Sequence, residues 1–408
     1  MKVIIAGGGI GGVCAAHALI ARGIDVTVYE KAGDSREVGA ALMLTPNSTR
    51  LLAHIGLLER LRSIGVQTRA AVRRSALDMS LKYGMTLGVE AEELFGAPLL
   101  HLHRGELLGT LSDALPPGVL HLNRRVVGFG QDAEGVRLEL EGGETVVADL
   151  LVAADGSQSR IRSALFAPAE RVFRKGWSHR ALIPRDSSPL AREFADAATL
   201  TFFGDAQAVG FISFAGPHFL NTIVGTPGWD LDLPDGRTNV PVTHEEVMGF
   251  IQDWDPRLQD LLSHAGQFVR WPMYDTEPLD TWSRGRVTLL GDAAHAMLPT
   301  YGQGASQTIE DGFALAHALA VHGDSVGDAL AQYEAVRIPR TREIQIGARR
   351  LSGTGRRTDG DLVMAAQPMQ PPGDGRFVSG VGLGLPPDPA AIYRYDLHAV
   401  LNGSQSPT

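Results

Sequence analysis

The chain opens on KVIIAGGGIGG at residues 2–12, and this stretch predicts the fold. Residues 2–6 are short and mainly apolar, as in a buried strand, and the glycines after them suit a tight turn. An alanine-rich stretch follows, with Val13, Ala16 and Leu19 at helical spacing. Gly23 then ends the helix, and residues 24–29 form a second strand. The opening therefore predicts a βαβ unit.

The glycines of this opening have the spacing G-x-G-x-x-G at Gly7, Gly9 and Gly12. The first glycine permits the turn, the second lets a pyrophosphate approach the backbone, and the third lets the helix pack closely. The positive helix N-terminus then faces the phosphates. Glu30 ends the second strand, where a carboxylate binds ribose hydroxyls. We therefore predict a dinucleotide site, which also includes Gly11 and Lys31.

Bulk properties exclude several classes of function. The 408 residues carry a formal net charge of -9, so there is no basic surplus for nucleic acid or an anionic membrane. No apolar run has the length of a membrane span, and we expect no secretory signal, because the first apolar stretch is short and no cleavage site follows it. Cys14 is the single cysteine, which fits a cytoplasmic protein without disulfides. His101 and His103 share a strand face but have no further ligands at metal spacing, so we expect no metal site.

Two later segments repeat the pattern of a strand that ends in a carboxylate and a helix start. The first is ADGSQSRIR at residues 154–162, with Asp155-Gly156 after a buried strand and Arg162 in the following helix. The second is GDAAH at residues 291–295, followed by Pro299 and by the turn Gly302-Gln303-Gly304. Each places a carboxylate beside a helix N-terminus, where it can meet sugar hydroxyls of a cofactor.

These three motifs, in this order, resemble those of the single-component FAD-dependent aromatic hydroxylases. Within that family the chain is most similar to the salicylate hydroxylase and 6-hydroxynicotinate 3-monooxygenase branch. Further matches are HRGEL at residues 103–107, VGAA at 38–41 before Pro46-Asn47, and IYRYD at 392–396. In place of the family's usual Asn after the Gly-Gln-Gly turn, this chain has Ser306.

The resemblance implies a role for each motif. The AMP half of FAD would lie at the first glycine loop, and Arg104 and Val126 would lie along the cofactor. Gly291 and Asp292 would meet its ribityl and pyrophosphate region. Pro299 and the turn of Gly302, Gln303 and Gly304 would border the flavin face. Asp155, Gly156 and Arg162 would support both FAD and the transient binding of NADH or NADPH.

The resemblance also implies a reaction. NADH or NADPH reduces the flavin, which reacts with O2 to a flavin 4a-hydroperoxide and inserts one oxygen atom into a phenolic or heteroaromatic small molecule. Three alternatives stay open. They are epoxidation or dearomatising oxidation of a larger metabolite, a flavin dehydrogenase without oxygen insertion, and a flavin-binding protein without catalysis. The residues do not choose between a monomer and a homodimer.

For the fold, we predict an α/β architecture. A Rossmann-like FAD-binding domain (residues 1–70, 99–170 and 275–330) would carry an inserted mixed β-sheet substrate domain (71–98 and 171–274). A C-terminal helix and a Gly/Pro-rich arm would fill residues 331–408. Residues 119–154 alternate between apolar and polar, which predicts an antiparallel meander running into a buried strand.

The predicted substrate pocket is apolar, with Met43, Ala208, Ile212, Leu220 and Pro299 in its wall. By the resemblance, 6-hydroxynicotinate-type enzymes have polar groups at three of these positions. Urate-hydroxylating relatives would have an arginine near Ala208 and a tyrosine near Leu220. We therefore expect a neutral or larger aromatic substrate, because a small acid would bury an unpaired carboxylate unless an unrecognised arginine reached it.

The acid–base group is expected to be His218 or Tyr301, with water as the alternative. Strand alternation brings His218 to one face with Leu220, and Tyr301 lies beside the flavin turn. A histidine next to Gly216-Pro217 is also typical of an exposed loop, so both interpretations of His218 stay open.

Overall fold

The computed structural model describes residues 1–33, 41–166, 171–204, 208–228, 239–351 and 389–403. The strands are β1 (Lys2–Ala6), β2 (Asp25–Tyr29), β3 (Ala41–Leu44), β4 (Val66–Gln67), β5 (Ala70–Arg74), β6 (Leu81–Thr86), β7 (Leu100–His103), β8 (Leu120–His121), β9 (Val126–Gln131), β10 (Val136–Leu140), β11 (Thr145–Ala148), β12 (Leu150–Ala153), β13 (Arg171–Pro184), β14 (Thr199–Gly204), β15 (Val209–Ala215), β16 (Phe219–Pro227), β17 (Val240–Val242), β18 (Phe268–Thr276), β19 (Ser283–Arg284) and β20 (Val287–Leu289).

The helices are α1 (Ile10–Ile20), α2 (Pro46–His54), α3 (Leu58–Ile64), α4 (Val89–Phe95), α5 (Arg104–Asp113), α6 (Arg160–Leu165), α7 (Pro189–Ala197), α8 (His244–Phe250), α9 (Pro256–Ser263), α10 (Asp292–His295), α11 (Gly304–His322), α12 (Val326–Leu351), α13 (Pro389–Arg394) and α14 (Leu397–Leu401). A 3₁₀ turn spans Pro299–Tyr301. None of the described helices combines the length and the apolar character that crossing a membrane requires.

The glycine-rich opening lies at the centre of a six-stranded sheet. Its strand order is β19-β20-β12-β1-β2-β8, and every neighbouring pair except β19-β20 is parallel. Val3, Ile4 and Ile5 of β1 are completely buried, because helices cover the parallel sheet. The carboxyl ends of β1, β12 and β20 therefore carry the three motifs to one edge of this sheet.

The predicted meander is confirmed as the antiparallel sheet β9-β10-β11. In β10 the alternation is complete, with Val136, Leu138 and Leu140 buried and the residues between them exposed. The chain then enters the parallel sheet through β12.

The second large sheet is mixed and has eight strands, in the order β17-β18-β13-β16-β15-β14-β5-β6. Only β14 and β5 pair in parallel. Helices α7, α8 and α9 cover one face, where Ile212, Leu220 and Val224 pack with residues of these helices in a core of their own. The opposite face lies towards the motifs of the parallel sheet. The α/β fold, with its Rossmann-like and mixed sheets and its C-terminal helices, agrees with the prediction.

Two predicted segments lie outside the described residues. These are residues 38–40 of the VGAA match and nearly all of the Gly/Pro-rich arm between residues 353 and 390. The matched ending IYRYD is described, and Ile392, Tyr393 and Tyr395 of it are buried. The Arg340 guanidinium stacks 3.5 Å from the centre of the Tyr395 ring, and Arg50 donates to the Tyr395 carbonyl. This ending therefore ties α2 and α12 together.

Candidate active site

A large cavity lies between the edge of the parallel sheet and the open face of the eight-stranded sheet. Its volume is about 3930 Å³, and all three motifs contribute to its wall. Ordinary small-ligand pockets have volumes of roughly 300–1,000 Å³. The cavity is therefore large enough for a dinucleotide together with a second small molecule.

The first glycine loop has the local geometry that a pyrophosphate needs. Gly7 has a φ of +116°, and a Cβ there would lie 2.2 Å from the Ala154 carbonyl oxygen. A Cβ on Gly12 would lie 1.9 Å from the Gly7 carbonyl oxygen, so only glycine lets α1 start this close to the strand. A Cβ on Gly9, in contrast, would meet nothing within 4 Å. The space beside Gly9 belongs to the cavity, at the N-terminus of α1.

Glu30 is held in place beside this loop by two backbone amides. Its Oε2 accepts from the Gly8 N–H at 2.6 Å, and its Oε1 accepts from the Ala32 N–H at 2.7 Å. Glu30 and Lys31 both line the cavity. The carboxylate is thus oriented before any ligand binds, and its remaining lone pairs can accept from ribose hydroxyls.

In the second motif, Asp155 and Arg162 have different surroundings. Asp155 Oδ2 accepts from the Arg160 N–H at 3.0 Å, while its buried Oδ1 has no partner among the described residues. Asp155 and Gly156 line the cavity. Arg162 does not. Its guanidinium donates to the carbonyl oxygens of Ala293 at 3.0 Å and Ser157 at 2.9 Å. Arg162 thus braces the second motif against the third, and its assignment to the cofactor stays a prediction.

The third motif is supported from beneath by Asp311 of α11. Asp311 Oδ2 accepts from the Gly291 N–H at 3.0 Å and lies 2.6 Å from His295 Nε2. Its Oδ1 accepts from Arg337 Nε at 2.8 Å. Burial alone would raise the pKa of Asp311, but His295 and Arg337 lower it. These contacts hold Asp292 at the cavity wall, and His295 is buried beneath it in a supporting position.

The Gly302-Gln303-Gly304 turn exposes its glycines to the cavity and buries its glutamine. Gly302, with a φ of +62°, and Gly304 line the cavity together with Pro299. The Gln303 side chain is fully buried and donates to Thr45 Oγ1 at 2.9 Å. The structure therefore corrects the predicted contact of Gln303 with the cofactor. Its backbone belongs to the turn, but its side chain is turned into the protein interior.

A buried ion cluster, with only Arg340 reaching the cavity, lies behind the same turn. Glu310 forms salt bridges with Arg337 and Arg340, and its Oε1 accepts from Asn47 Nδ2 at 2.6 Å. Burial alone would raise the pKa of Glu310, but Arg340, Arg337 and the Asn47 hydrogen bond lower it to about 2. Asn47 belongs to the Pro46-Asn47 match, so this sequence feature has a structural role in fixing α2 against α11.

These observations fit FAD at this edge of the sheet. The open space beside Gly9 suits a pyrophosphate, and Glu30 suits the adenosine ribose. The buried Asp155 Oδ1, which has no partner among the described residues, can accept a hydrogen bond from the cofactor. The remaining residues predicted along the cofactor, Arg104, Val126, Gly11 and Gly291, also line the cavity.

On the substrate side, the structure corrects the predicted pocket. Met43, Ala208 and Pro299 line the cavity, but Ile212 and Leu220 lie on the opposite sheet face, packed beneath the helices. His218 is exposed in the turn between β15 and β16 and is not among the lining residues. The strands were assigned to the wrong face, and a shift of one residue exchanges every side chain between the two faces.

The face that does border the cavity is partly polar. One cross-strand row contains Phe202, Phe211, Ile223 and Arg180, in register across β14, β15, β16 and β13. The next row contains Ser213 and Asn221, whose amide donates to Ser213 Oγ at 3.0 Å. The rings of Phe202 and Phe211 lie 4.8 Å apart. The cavity therefore offers an aromatic surface with hydrogen-bonding groups at one side.

Arg180 is the arginine that the sequence did not reveal. Its Nε donates to Ser178 Oγ at 2.9 Å, and its guanidinium lies 5.7 Å from the Trp271 ring. Among the described residues no carboxylate forms an ion pair with it, and its Nη atoms make no hydrogen bond. Burial and the charge of Arg104 lower the pKa of Arg180 to about 10. The cavity wall thus holds a half-buried cation that lacks a counter-ion within the described part of the chain.

Tyr301 and His101 are among the other titratable residues that line the cavity. Tyr301 is 6% exposed and packs against Gly347 of α12, where a Cβ would lie 2.6 Å from the tyrosine hydroxyl. Burial raises the pKa of this hydroxyl, and the assignment of Tyr301 as an acid–base group stays a prediction. His101 of β7 is 2% exposed and lines the cavity. The sequence offered no signal for it beyond its position in an apolar strand.

Comparison with known proteins identifies the family. A family model described as an FAD binding domain matches residues 1–346. The chain is 33% identical over 354 residues to a 3-amino-4-hydroxybenzoate 2-monooxygenase of Streptomyces cremeus, covering 86% of this chain and 87% of that protein. It is 30% identical over 345 residues to a 6-hydroxynicotinate 3-monooxygenase of Pseudomonas fluorescens, covering 84% of this chain and 89% of that protein.

A solved structure extends the similarity over the full length. The HpxO protein of Klebsiella pneumoniae, crystallised with FAD and uric acid, superposes with a TM-score of 0.79 at 25% identity, covering 99% of this chain and 95% of that one. The prediction of FAD as cofactor is confirmed by the family match, and so is the resemblance to the aromatic hydroxylases. The chain belongs to the FAD binding domain family, as an FAD-dependent aromatic hydroxylase.

Proposed function

We propose that this protein hydroxylates a small aromatic carboxylate, with NADH or NADPH as electron donor and O2 as the oxygen source. The observation that carries the proposal is Arg180, a cavity-lining guanidinium without a carboxylate partner among the described residues. This proposal replaces the expectation of a neutral substrate, which depended on Ile212 and Leu220 forming the pocket wall.

The electrostatics of Arg180 favour an anionic ligand. Leaving a cation in a partly desolvated site without a partner is costly, and a substrate carboxylate would remove this cost. A planar guanidinium can also bind a carboxylate in a bidentate way, which fixes its orientation. Ser178 accepts from Nε and the Trp271 ring lies 5.7 Å from Cζ, so both Nη atoms remain available.

The rest of the wall suits an aromatic ring. Phe202 and Phe211 lie in the same cross-strand row as Arg180, and Met43 and Pro299 line the same cavity. Bound FAD would supply the activated oxygen along the route that the family resemblance implies. The protein's own residues would orient the ring and exclude water. The two curated relatives are named for a hydroxybenzoate and a hydroxynicotinate, both aromatic carboxylates.

The test is a paired substrate screen. Hydroxybenzoates and hydroxynicotinates are compared with their methyl esters, which keep the ring and hydroxyl but remove the negative charge. Stimulated oxidation of NADH and of NADPH is recorded, and product mass after reaction under ¹⁸O2 shows whether one oxygen atom enters the ring. We expect at least one acid to be hydroxylated and its ester to be a poor substrate.

Two variants test whether Arg180 binds the substrate carboxylate, as distinct from a general effect of removing an arginine. Arg180→Met should raise KM for the acid by about tenfold to a hundredfold, since a lost charge-assisted pair costs about 1.5–3 kcal/mol. The control is Arg192→Met, at an exposed position of α7 on the other face of the sheet. Turnover of the esters but not the acids would restore the neutral-substrate prediction. NAD(P)H oxidation without ¹⁸O in any product would favour the dehydrogenase alternative.

A further inference from the structure

His101 has one ring nitrogen that is hydrogen-bonded and one that is not. Its Nδ1 lies 2.7 Å from Thr68 Oγ1, and its Nε2 makes no hydrogen bond to any residue that the structure describes. The residue is buried, yet Nε2 is not among the buried polar atoms that lack a partner, and the ring lines the cavity. This second nitrogen is therefore open to the cavity.

The Thr68 hydroxyl decides which tautomer the ring adopts. Thr68 is completely buried, and His101 Nδ1 is the partner of its hydroxyl. If the hydroxyl donates, its proton is satisfied and the imidazole proton lies on Nε2, where a ligand can accept it. If Nδ1 donates instead, the hydroxyl proton has no acceptor among the described residues. An unsatisfied buried donor costs about 1–3 kcal/mol, so the Nε2–H tautomer is favoured.

The ring also remains uncharged. Burial lowers the pKa of His101 to about 3. The strands packed against it present Met43, Val66 and Phe214 there, and none of these titrates. Arg104, three positions further along the chain, and Arg180 of β13 line the same cavity, and both are cations. A neutral N–H donor thus faces the cavity, in surroundings that favour a negatively charged ligand.

We propose that His101 is a substrate-binding residue that donates a hydrogen bond from Nε2 to the ionised ring hydroxyl of the bound substrate, and that Thr68 holds the imidazole in the tautomer which does so. This inference depends on the proposed function, because it assumes a phenolic carboxylate whose acid group is bound by Arg180. The hydroxyl proton leaves to solvent when the phenolate forms, and His101 neither gains nor loses a proton.

The proposed contact would serve the reaction directly. An electrophilic oxygen attacks an electron-rich ring, and a phenolate is richer in electrons than the neutral phenol. A fixed donor placed where the negative charge resides stabilises this form without reorganising on binding. His101 would therefore raise the fraction of bound substrate that is ready to react.

The inference can be tested on the FAD-loaded protein without turnover. The probes are 3-fluoro-4-hydroxybenzoate and 3-fluoro-5-hydroxybenzoate, whose hydroxyls are para and meta to the carboxylate. The ¹⁹F chemical shift of the bound probe, titrated against pH in the absence of NAD(P)H, reports the pKa of its hydroxyl. In the wild-type protein we expect this pKa to fall by about one unit or more for at least one probe, a roughly tenfold gain in acidity.

Three variants assign the effect to His101 and Thr68. His101→Leu should remove most of the decrease, whereas His101→Gln should retain part of it because its amide still donates. Thr68→Val should give a smaller decrease than the wild type, because the tautomer is no longer fixed. FAD content and Tm, recorded for each variant, show that the fold is intact. The probes' Kd should change less than their hydroxyl pKa, because Arg180 still binds the carboxylate.

The results that would overturn the inference differ from those that would overturn the proposed function. An unshifted hydroxyl pKa in the bound probes, or an equal shift in His101→Leu, would each exclude the role of His101, whereas failure of both probes to bind the wild-type protein would count against the proposed carboxylate substrate and, with it, this inference. The substrate screen with ¹⁸O2 records whether oxygen enters the ring and does not measure the hydroxyl pKa of the bound substrate. Hydroxylation of a carboxylate there, together with an unshifted probe, would leave the proposed function standing without His101.

Discussion

Arg162 of α6 and Ala293 of α10 are joined by a hydrogen bond of 3.0 Å from Nη1 to the carbonyl oxygen, although they are 131 positions apart in the chain. The same guanidinium donates to Ser157 at 2.9 Å. The second and third motifs are therefore one mechanical unit. Asp155 and Asp292, which face the cavity from these motifs, keep their separation through Arg162.

Loss of Arg162 should weaken both the fold and the retention of FAD. Arg162 is 3% exposed and its two bonds come from a charged donor, each worth about 1.5–3 kcal/mol. We expect Arg162→Ala to lower the free energy of unfolding by at least about 3 kcal/mol, with partial loss of FAD. Urea unfolding and the FAD content of the purified protein check this. Arg160→Ala, at an exposed site two residues earlier, is the control and should be near the wild type.

The glycines of the first loop should separate folding from cofactor binding. Gly9→Ala has room for its methyl group, so the variant should fold with a Tm close to that of the FAD-free wild type and yet retain little FAD. Gly12→Ala places a methyl group against the Gly7 carbonyl and should lower the Tm itself. Circular dichroism and the flavin absorbance of the purified proteins distinguish the two. Normal FAD content in Gly9→Ala would contradict a pyrophosphate at this position.

Glu30→Gln should weaken FAD binding while the chain stays folded. A glutamine keeps the size of the side chain but has one acceptor oxygen for the two amides of Gly8 and Ala32. We expect the Kd for FAD to rise by about tenfold to a hundredfold, measured by flavin fluorescence on adding FAD to the FAD-free protein. Glu144→Gln, in an exposed surface pair, should leave the Kd unchanged. The released cofactor should be FAD, and finding FMN would contradict the role of Glu30.

The buried ion cluster should make the protein sensitive to acid. The pKa of Glu310 is lowered from 4.5 to about 2 in the folded chain, so its contribution to stability is complete above pH 4.5. This contribution is lost as the pH falls from 4.5 towards about 2, because the unfolded chain takes up the proton first. Glu310→Gln should be less stable at pH 7 and should show a shallower fall of Tm in this window. Glu144→Gln should keep the wild-type slope.

The parallel sheet and the cofactor loop could be predicted from the sequence because their signals are local. Gly7, Gly9, Gly12 and Glu30 act through backbone geometry within one βαβ unit, and the spacing of the residues encodes that geometry. Gln303 was misplaced because the pattern G-x-G identifies a turn without saying which way the middle side chain points. Its burial depends on Thr45, which is distant in the sequence.

The substrate wall could not be predicted in the same way. One face of β15 and β16 packs against helices, and the other borders the cavity. Both faces carry apolar residues, so the hydrophobic pattern of the sequence does not show which face is which. The polar residues Ser213 and Asn221 were the available signal for the face that borders the cavity. They lie opposite each other on neighbouring strands and are joined by a hydrogen bond. Arg180 joins this face through its pairing with Ile223, a long-range register that alternation within one strand does not show.

The order of strands in the parallel sheet has a consequence for synthesis. β1 is made before the other strands of its sheet and pairs with β12, and β12 pairs with β20 only after the entire eight-stranded sheet has been translated. During synthesis, the parallel sheet that carries the cofactor loop therefore cannot be completed until β20, which begins at Val287, has been made. The flavin site therefore cannot be completed before the whole eight-stranded sheet has been synthesised.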